Sequence, residues 1–312
     1  MQAGLALPAA GFVASHYPDV LGSEPGELDY RTLGKTGLQV SGVGCGIGLI
    51  PDPAVLNRAV DLGVNYFDTA RMYENGKSEE IAGETLKNRR QKLYLASKTD
   101  ARDKAGVIKD MEDSLKALQT DYVDVWHLHS RDTPDTITDE AVEACEILKE
   151  QGKARFIGVS AHDINAVVDT IVDIGKFDVV QTTYSYAIGS YYRNASIKKL
   201  HDSGVGVIAM KVVLAVAGFI PPDEFRLKDE GPLAAVKWVL TNPMISTTVP
   251  FAKNTAELEM NFRAMTEPYT PQDEKMLYVR NKEIRSRYCR MCYECKGKCP
   301  KGVPVTDQLR FL

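Results

Sequence analysis

From residue 29 onward, two spacings of apolar positions alternate along the chain. Short runs rich in apolar and β-branched residues are separated by longer stretches in which apolar residues recur every three or four positions. The short runs predict buried strands, and the longer stretches, such as 106–119, predict amphipathic helices. Eight strands are predicted in this way, at 42–46, 65–70, 92–98, 122–129, 155–161, 179–185, 206–212 and 245–251.

Strands that alternate with helices predict an α/β fold with a parallel sheet, because parallel strands need crossover connections. Eight such units favour a closed (β/α)₈ TIM barrel over a doubly wound sheet. A doubly wound fold would more often show a Gly-x-Gly-x-x-Gly turn that opens a helix, whereas "GVGCGIG" leads into "LIPDPAV". Residues 29–41 contain two short extended pieces around a Lys-Thr-Gly turn and predict an N-terminal hairpin.

Composition narrows the classes of partner. The chain is 44% hydrophobic and 26% charged, with a net charge of −4, which is typical of a globular protein with a sizeable core. It has no long basic block, so nucleic acid and anionic membrane surfaces are not expected partners. No run of eighteen apolar residues occurs, so no membrane span is expected.

Three regions are predicted from these patterns: a leader at 1–28, the barrel at 29–285 and a Cys-rich tail at 286–312. The leader reads either as a disordered segment or as the end of a twin-arginine export signal that lacks its arginine pair. A cytoplasmic location and a periplasmic one therefore both stay open.

Polar residues stand at neighbouring strand ends, where a barrel places its chemistry. Asp68 ends the second predicted strand and Tyr73 follows five residues later, while Lys98 and His129 end the next two. Each has an ordinary structural explanation alone, but together they suit hydride addition to a carbonyl, which needs a positioned proton donor. An ammonium lowers the pKa of a nearby phenol, and a carboxylate keeps that ammonium charged.

These stretches also carry a family resemblance. "YRTLGKTGLQVSGVGCG", "NYFDTARMYENGKSEE", "LYLASK" and "TDYVDVWHLHS" resemble successive signatures of aldo-keto reductases, over about residues 29–265. The resemblance implies a (β/α)₈ barrel and NAD(P)H-dependent interconversion of a carbonyl and an alcohol. It further implies that Tyr73 is the acid/base, that Lys98 and Asp68 tune it, and that His129 binds the substrate oxygen.

The resemblance implies a nicotinamide cofactor site that matches the family only in part, so NADP and NAD both stay open. Ala161 replaces the family's Asn, and Phe251 and Glu257 stand where many members carry basic residues for the 2′-phosphate. Glu257 instead fits a capping box with Asn254. The expected cofactor-binding residues are Gly46, Ser160, Gln181, Met210, Lys211, Lys253 and Asn261.

The tail carries cysteines in the spacing C-x2-C-x2-C-x3-C-P, at Cys289, Cys292, Cys295 and Cys299. This is a ferredoxin-type iron–sulfur spacing and predicts a [4Fe–4S] cluster. A Cys₄ zinc site, two disulfides or free thiols are the alternatives. A similar Cys tail occurs on some bacterial proteins of the aldo-keto reductase type, usually in a longer form with a second motif.

Two classes of function remain at this point. The first is an oxidoreductase for aldehydes, ketones or sugar-like alcohols, with a possible redox partner protein for the cluster. The second is a non-catalytic binding or redox-sensing protein on the same scaffold. The altered cofactor contacts favour it, whereas the complete set of Asp68, Tyr73, Lys98 and His129 argues against it. Residues after the sixth strand either meet a hydroxylated substrate or only pack the loop: Tyr184, Tyr186, Tyr191, Tyr192 and Arg193.

Overall fold

The computed structural model describes residues 28–48, 52–188, 190–213 and 227–285, together with 295, 297–303 and 305 in the tail. Residues 1–27 of the predicted leader and the tail cysteines Cys289 and Cys292 lie outside these described residues. Within the described part of the chain, no helix is both long and apolar enough to cross a membrane.

A parallel sheet of eight strands forms the centre of the fold, and strands that follow one another along the chain are neighbours in the sheet. Its strands are β3 (Cys45–Gly46), β4 (Tyr66–Asp68), β5 (Tyr94–Thr99), β6 (Val123–Leu128), β7 (Ala154–Ala161), β8 (Val179–Thr183), β9 (Gly206–Met210) and β10 (Thr247–Thr248). They follow β1 (Tyr30–Thr32) and β2 (Gln39–Ser41), which pair antiparallel as the predicted hairpin.

The first and last strands of the sheet meet and close the barrel. Parallel bridges join Val43 to Thr248 and Gly46 to Phe251. The Gly44 N–H donates to the Thr248 carbonyl at 2.7 Å. The predicted (β/α)₈ barrel is therefore confirmed. The first and last strands of the sheet, Cys45–Gly46 and Thr247–Thr248, are shorter than the predicted 42–46 and 245–251, because isolated bridges are the pairing described between them.

Helices connect consecutive strands and cover the outside of the barrel. They are α1 (Pro53–Asp61), α2 (Lys77–Leu86), α3 (Lys104–Leu118), α4 (Asp139–Glu150), α5 (Ile164–Ile174), α6 (Ser190–Asp202), α7 (Gly231–Leu240), α8 (Thr255–Phe262) and α9 (Pro271–Arg285). The helix predicted at 106–119 is α3, which begins after the N-cap Asp103 and ends at Gln119 in a left-handed conformation.

Apolar side chains form two separate layers, since successive residues of a strand point to opposite faces. Trp126 and Leu128 belong to the larger core between the strands and helices. Tyr66, Val125 and Val179 belong to a smaller core inside the barrel.

The hairpin contributes Leu33, Leu38 and Val40 to that inner core. The Lys35 N–H donates to the Gly204 carbonyl, just before β9. The hairpin therefore fills the amino-terminal end of the barrel and leaves the other end for the site.

Candidate active site at the barrel mouth

The sequence-predicted polar residues meet at the carboxyl-terminal end of the barrel. Asp68 is the last residue of β4, Lys98 is the next to last of β5, and His129 directly follows β6. Tyr73 begins a short 3-10 turn between β4 and α2. Because these strands are neighbours in the sheet, their ends open on one side of the same mouth.

A buried ion pair between Asp68 and Lys98 forms the base of the site. Lys98 Nζ lies 2.6 Å from Asp68 Oδ2 and donates a second hydrogen bond of 2.6 Å to the Thr69 carbonyl. The two side chains are nearly inaccessible to solvent. Gln181 Nε2 donates to the same Asp68 oxygen at 3.0 Å, although β8 stands on the opposite side of the barrel. These bonds offset part of the cost of removing two charges from water.

Tyr73 and His129 lie directly above this pair. The Lys98 ammonium is 5.5 Å from the centroid of the Tyr73 ring. The His129 ring meets Tyr73 edge-on, with 5.7 Å between the ring centroids and an interplanar angle of 82°. The four residues predicted from the strand ends thus form one cluster of a proton donor, a cation, an anion and an imidazole.

The three residues that follow Tyr73 have an unfavourable backbone conformation. Glu74, Asn75 and Gly76 all have positive φ, which costs a non-glycine residue about 1 kcal/mol or more. At position 76, a side chain would collide with the Arg71 guanidinium. That guanidinium lies 2.6 Å from the fully buried Glu79 carboxylate of α2. This bond ties the two ends of the turn together and holds Tyr73 over Lys98.

Burial decides the acidity of Tyr73. It raises the pKa of the phenol, and the Asp68 and Asp100 carboxylates raise it further. Lys98 lowers the pKa as expected, but not by enough to bring it below the usual value. The predicted effect of the ammonium is therefore present, but burial outweighs it. The phenol is protonated at neutral pH.

Asp100 is a member of the site that the sequence reasoning missed. Its Oδ1 lies 3.2 Å from His129 Nδ1, off the ideal N–H axis, as an electrostatic pair. Burial raises the pKa of Asp100, but His129, Arg131 and Lys98 outweigh it and leave that pKa below its usual value. Asp100 follows Lys98 by two residues just past β5, and that position was the one available signal for it.

The residues predicted to hold the nicotinamide also lie at the mouth. Ser160 and Gln181 are buried and directly paired in register on β7 and β8. Ser160 Oγ accepts a hydrogen bond of 2.9 Å from the Ser130 N–H. Gly46 ends β3, where a side chain would approach the Val249 carbonyl to 2.7 Å.

Residues predicted for the rest of the cofactor are spread around the far side of the mouth. Met210 ends β9 and packs on the inner core, and Lys211 follows it with a positive φ. Lys253 is exposed just before α8, and Asn261 is buried within that helix.

The predicted cap of α8 is present with one difference. Asn254 accepts a hydrogen bond from the Glu257 N–H at 2.9 Å. The Glu257 carboxylate accepts from the Lys253 N–H at 2.9 Å, one residue before the position expected in a capping box.

Three residues weighed for substrate contact pack inside the protein instead. The Tyr184 ring stacks on Trp238 of α7 at 5.0 Å, and Tyr186 is buried in a cluster with Leu277. Arg193 is buried and donates to the His162 carbonyl at 2.8 Å. These contacts favour the alternative in which these three residues pack the loop. The side chains of Tyr191 and Tyr192 lie outside the described part.

Two of the tail cysteines fall within the described residues. The Lys298 N–H donates to the Cys295 carbonyl at 3.2 Å, and the Gly302 N–H donates to the Cys299 carbonyl at 3.0 Å. Each cysteine therefore starts a tight turn. In the part of the chain that the structure describes, no three His, Cys, Asp or Glu residues are placed to hold a metal ion.

The barrel mouth thus holds a phenol, a buried ion pair and an imidazole. Comparisons with known proteins identify the family to which this arrangement belongs. A profile of the Aldo/keto reductase family matches residues 53–224. The chain is 30% identical to L-galactose dehydrogenase from Arabidopsis thaliana over 284 residues, covering 77% of this chain and 89% of that protein.

A bacterial relative and a solved structure agree with this. The chain is 32% identical over 196 residues to the uncharacterized oxidoreductase YqkF from Bacillus subtilis, a match that covers 57% of this chain and 63% of that protein. An aldo/keto reductase from Klebsiella pneumoniae, solved in complex with NADP and acetate, superposes with a TM-score of 0.68 at 26% identity. The superposition covers 83% of this chain and 98% of the Klebsiella chain. The chain belongs to the aldo/keto reductase family and is an oxidoreductase of that type.

We expect Asp68→Asn to destabilise the fold strongly, because it leaves the Lys98 ammonium buried beside a neutral amide. Breaking one half of a buried pair costs about 3–5 kcal/mol. The double variant Asp68→Asn/Lys98→Met should recover part of that loss, since it also removes the charge. Urea unfolding measures both free energies. A loss below about 1 kcal/mol in the single variant, the range of an exposed pair, would contradict a buried charged pair.

Proposed function

We propose that this protein is an NAD(P)H-dependent reductase that interconverts a carbonyl and an alcohol, with Tyr73 as the acid/base. The observation that carries the proposal is the Lys98 ammonium, held in a buried pair with Asp68 and placed 5.5 Å from the centroid of the Tyr73 ring. A cation in that position stabilises the phenolate that remains after Tyr73 gives up its proton.

The reaction requires that negative charge on the substrate carbonyl oxygen be neutralised. Hydride addition to the carbonyl carbon builds negative charge on the carbonyl oxygen, and the Tyr73 hydroxyl donates its proton there. The raised pKa of Tyr73 keeps this donor loaded at neutral pH. In the reverse direction the phenolate must accept the alcohol proton, so oxidation should require more alkaline conditions. His129 faces the same space and meets the polar groups of the substrate.

The nicotinamide cofactor would supply or take up the hydride, and the residues at the mouth fit its carboxamide. Gln181 Oε1 is buried and has no hydrogen-bond partner among the described residues, so it is an acceptor that awaits a donor. Ser160 Oγ already accepts from Ser130, which leaves its own proton to donate. One acceptor and one donor on paired strands match the N–H and C=O of a primary amide.

Fewer contacts bear on the choice between NADP and NAD than on the carboxamide site. The amino-terminal end of α8 favours a phosphate, but the Glu257 carboxylate already lies at that end, where it accepts from the Lys253 N–H. The Lys253 side chain is then the basic group proposed to meet a 2′-phosphate. The NADP complex of the Klebsiella protein supports NADP for this chain as well.

For the substrate we propose a small aldehyde, ketone or sugar. The match to L-galactose dehydrogenase over 77% of this chain supports a sugar-like compound.

For the tail we propose a [4Fe–4S] cluster bound by Cys289, Cys292, Cys295 and Cys299. Their spacing supports it, as do the turns that start at Cys295 and Cys299. Gly297 and Gly302 have positive φ, which permits tight turns beside each thiol. Such a cluster would serve as a structural clip or pass electrons to a partner protein.

Protein purified without oxygen should contain about four irons and four acid-labile sulfides per chain. Its visible absorption should bleach with dithionite, and Cys295→Ser should lower the iron content. The matched control is Cys145→Ser, at a buried position of α4, which should leave the iron content unchanged. One zinc per chain without colour, or no metal at all, would overturn the cluster.

Replacing Tyr73 by Phe should lower kcat for carbonyl reduction by at least about 100-fold, because the ring stays while the proton donor is lost. The dissociation constant for NADPH, measured by fluorescence, should stay the same. Tyr278→Phe, at an exposed position of α9, is the matched control and should behave like the wild type.

Wild-type kcat in Tyr73→Phe would exclude Tyr73 as the acid. If the wild-type protein turns over no compound in a broad carbonyl panel and binds neither NADPH nor NADH, the non-catalytic scaffold becomes the better account.

A further inference from the structure

One buried carboxylate of α2 contacts both chain segments that carry the proposed acid and its cation. The Glu79 side chain is completely buried, although it lies in the first turn of the helix. Its Oε2 lies 2.6 Å from Nη1 of Arg71, which precedes Tyr73 by two residues. Its Oε1 accepts a hydrogen bond of 2.6 Å from the hydroxyl of Ser97, which directly precedes Lys98. Glu79 therefore bridges the two segments from outside the barrel.

The first turn of α2 is itself attached to the barrel, beside Glu79. The Ser78 hydroxyl donates to the Ile47 carbonyl at 2.8 Å and accepts from the Thr69 hydroxyl at 3.2 Å. Ile47 directly follows β3 and Thr69 directly follows β4. The amino-terminal end of a helix also favours a negative charge in its first turn. The position of the Glu79 carboxylate is therefore set by α2 and by the strand ends.

The segment around Tyr73 depends on such a restraint. The two residues after Tyr73 have φ of 49° and 53°, a conformation that L residues rarely adopt. The Arg71 N–H donates to the Lys98 carbonyl at 3.0 Å, which places the segment beside β5. A strained turn persists when its surroundings hold it, and the bond from Arg71 to Glu79 supplies that hold.

We propose that Glu79 is a positioning residue that holds the Tyr73 phenol at its working distance from the Lys98 ammonium. It does so through Arg71 on one side and Ser97 on the other. The ionised carboxylate is required, because a protonated carboxyl group forms no ion pair with a guanidinium. This inference rests on the proposed role of Tyr73 as the acid/base, and it adds a residue that does not touch the substrate.

The bridge should open in acid. Burial raises the pKa of Glu79 above its ordinary value, and the Asp110 carboxylate of α3 raises it further. The hydroxyls of Ser97 and Ser114 and the Arg71 guanidinium lower this pKa by less. As the pH falls through the raised pKa, the carboxyl group gains a proton and the ion pair is lost. Wild-type kcat should therefore begin to fall at a higher pH than an exposed carboxyl group would give.

Glu79→Gln removes the charge and keeps the size of the side chain. We expect it to lower kcat for carbonyl reduction at neutral pH by about tenfold or more, since small displacements of a catalytic group are costly. The KM for NADPH should stay the same. The ratio of wild-type to variant kcat should fall toward one as the pH decreases, because the wild-type carboxyl group then becomes neutral as well. The same ratio at every pH would contradict the proposal.

The neighbouring residue offers a matched control. Glu80 is an exposed carboxylate of the same helix and pairs with Lys77. Glu80→Gln should keep the kcat and the pH profile of the wild type.

Two further variants should move the acid loss of kcat in opposite directions. Ser97→Ala removes a hydrogen bond that lowers the pKa of Glu79, so the loss should move to higher pH. Asp110→Asn removes a charge that raises this pKa, so the loss should move to lower pH. Burial lowers the pKa of His129, so that ring also titrates in acid, and opposite shifts distinguish Glu79 from it. A loss at the same pH in all three proteins would overturn the role of Glu79.

Hydrogen–deuterium exchange tests the bridge without any turnover. We expect Glu79→Gln to speed exchange roughly tenfold in peptides that cover 69–76 and to leave the peptides of β6 unchanged. Unchanged exchange in 69–76 would overturn the inference whether or not the protein is a reductase. If Glu79→Gln does not fold, Ser97→Ala replaces it, with a smaller change in the same direction.

Failure of the reductase function would be seen separately. Wild-type protein that reduces no member of the carbonyl panel would count against that function, while the exchange measurement would still decide whether Glu79 holds the segment around Tyr73.

Discussion

The site depends on one buried ion pair. Lys98 is almost completely buried near the carboxyl-terminal end of β5, where an unpaired ammonium would cost several kcal/mol. Asp68 offsets that cost from the neighbouring strand, the Thr69 carbonyl accepts a second hydrogen bond from Lys98, and Gln181 donates to Asp68 Oδ2. The pair fixes a positive charge beneath Tyr73 while leaving the phenol itself neutral.

The barrel provides this arrangement through register. Asp68 of β4 pairs in register with Ala96 of β5. Lys98 lies two residues after Ala96 on β5, and alternate residues of a strand point to the same face, so the side chains of Asp68 and Lys98 both point into the barrel. The amino-terminal hairpin fills the opposite end with apolar side chains such as Leu33. The polar residues are therefore concentrated in one layer at the mouth, where Gln181 reaches across from β8 to the Asp68 carboxylate.

The order of eight strands and the grouping of Asp68, Tyr73, Lys98 and His129 could be predicted from the sequence, because strand periodicity and position at a strand end are local properties. The acidity of Tyr73 could not, since burial outweighs the nearby ammonium and burial depends on the folded chain. The role of Asp100 was hidden for a similar reason. It lies 29 positions before His129, and only the closed barrel brings their side chains together.

The most direct test of the account is the pH dependence of alcohol oxidation with NADP in the wild type and in Lys98→Met. In the proposed mechanism the Tyr73 phenolate accepts the alcohol proton, so the rate of oxidation should rise with pH up to the pKa of that phenol. Lys98 lowers this pKa, and removing its charge should therefore move the rise to higher pH. Lys98→Arg, which keeps the charge, should move it less. A rise at the same pH in all three proteins would contradict the control of Tyr73 by the buried ion pair.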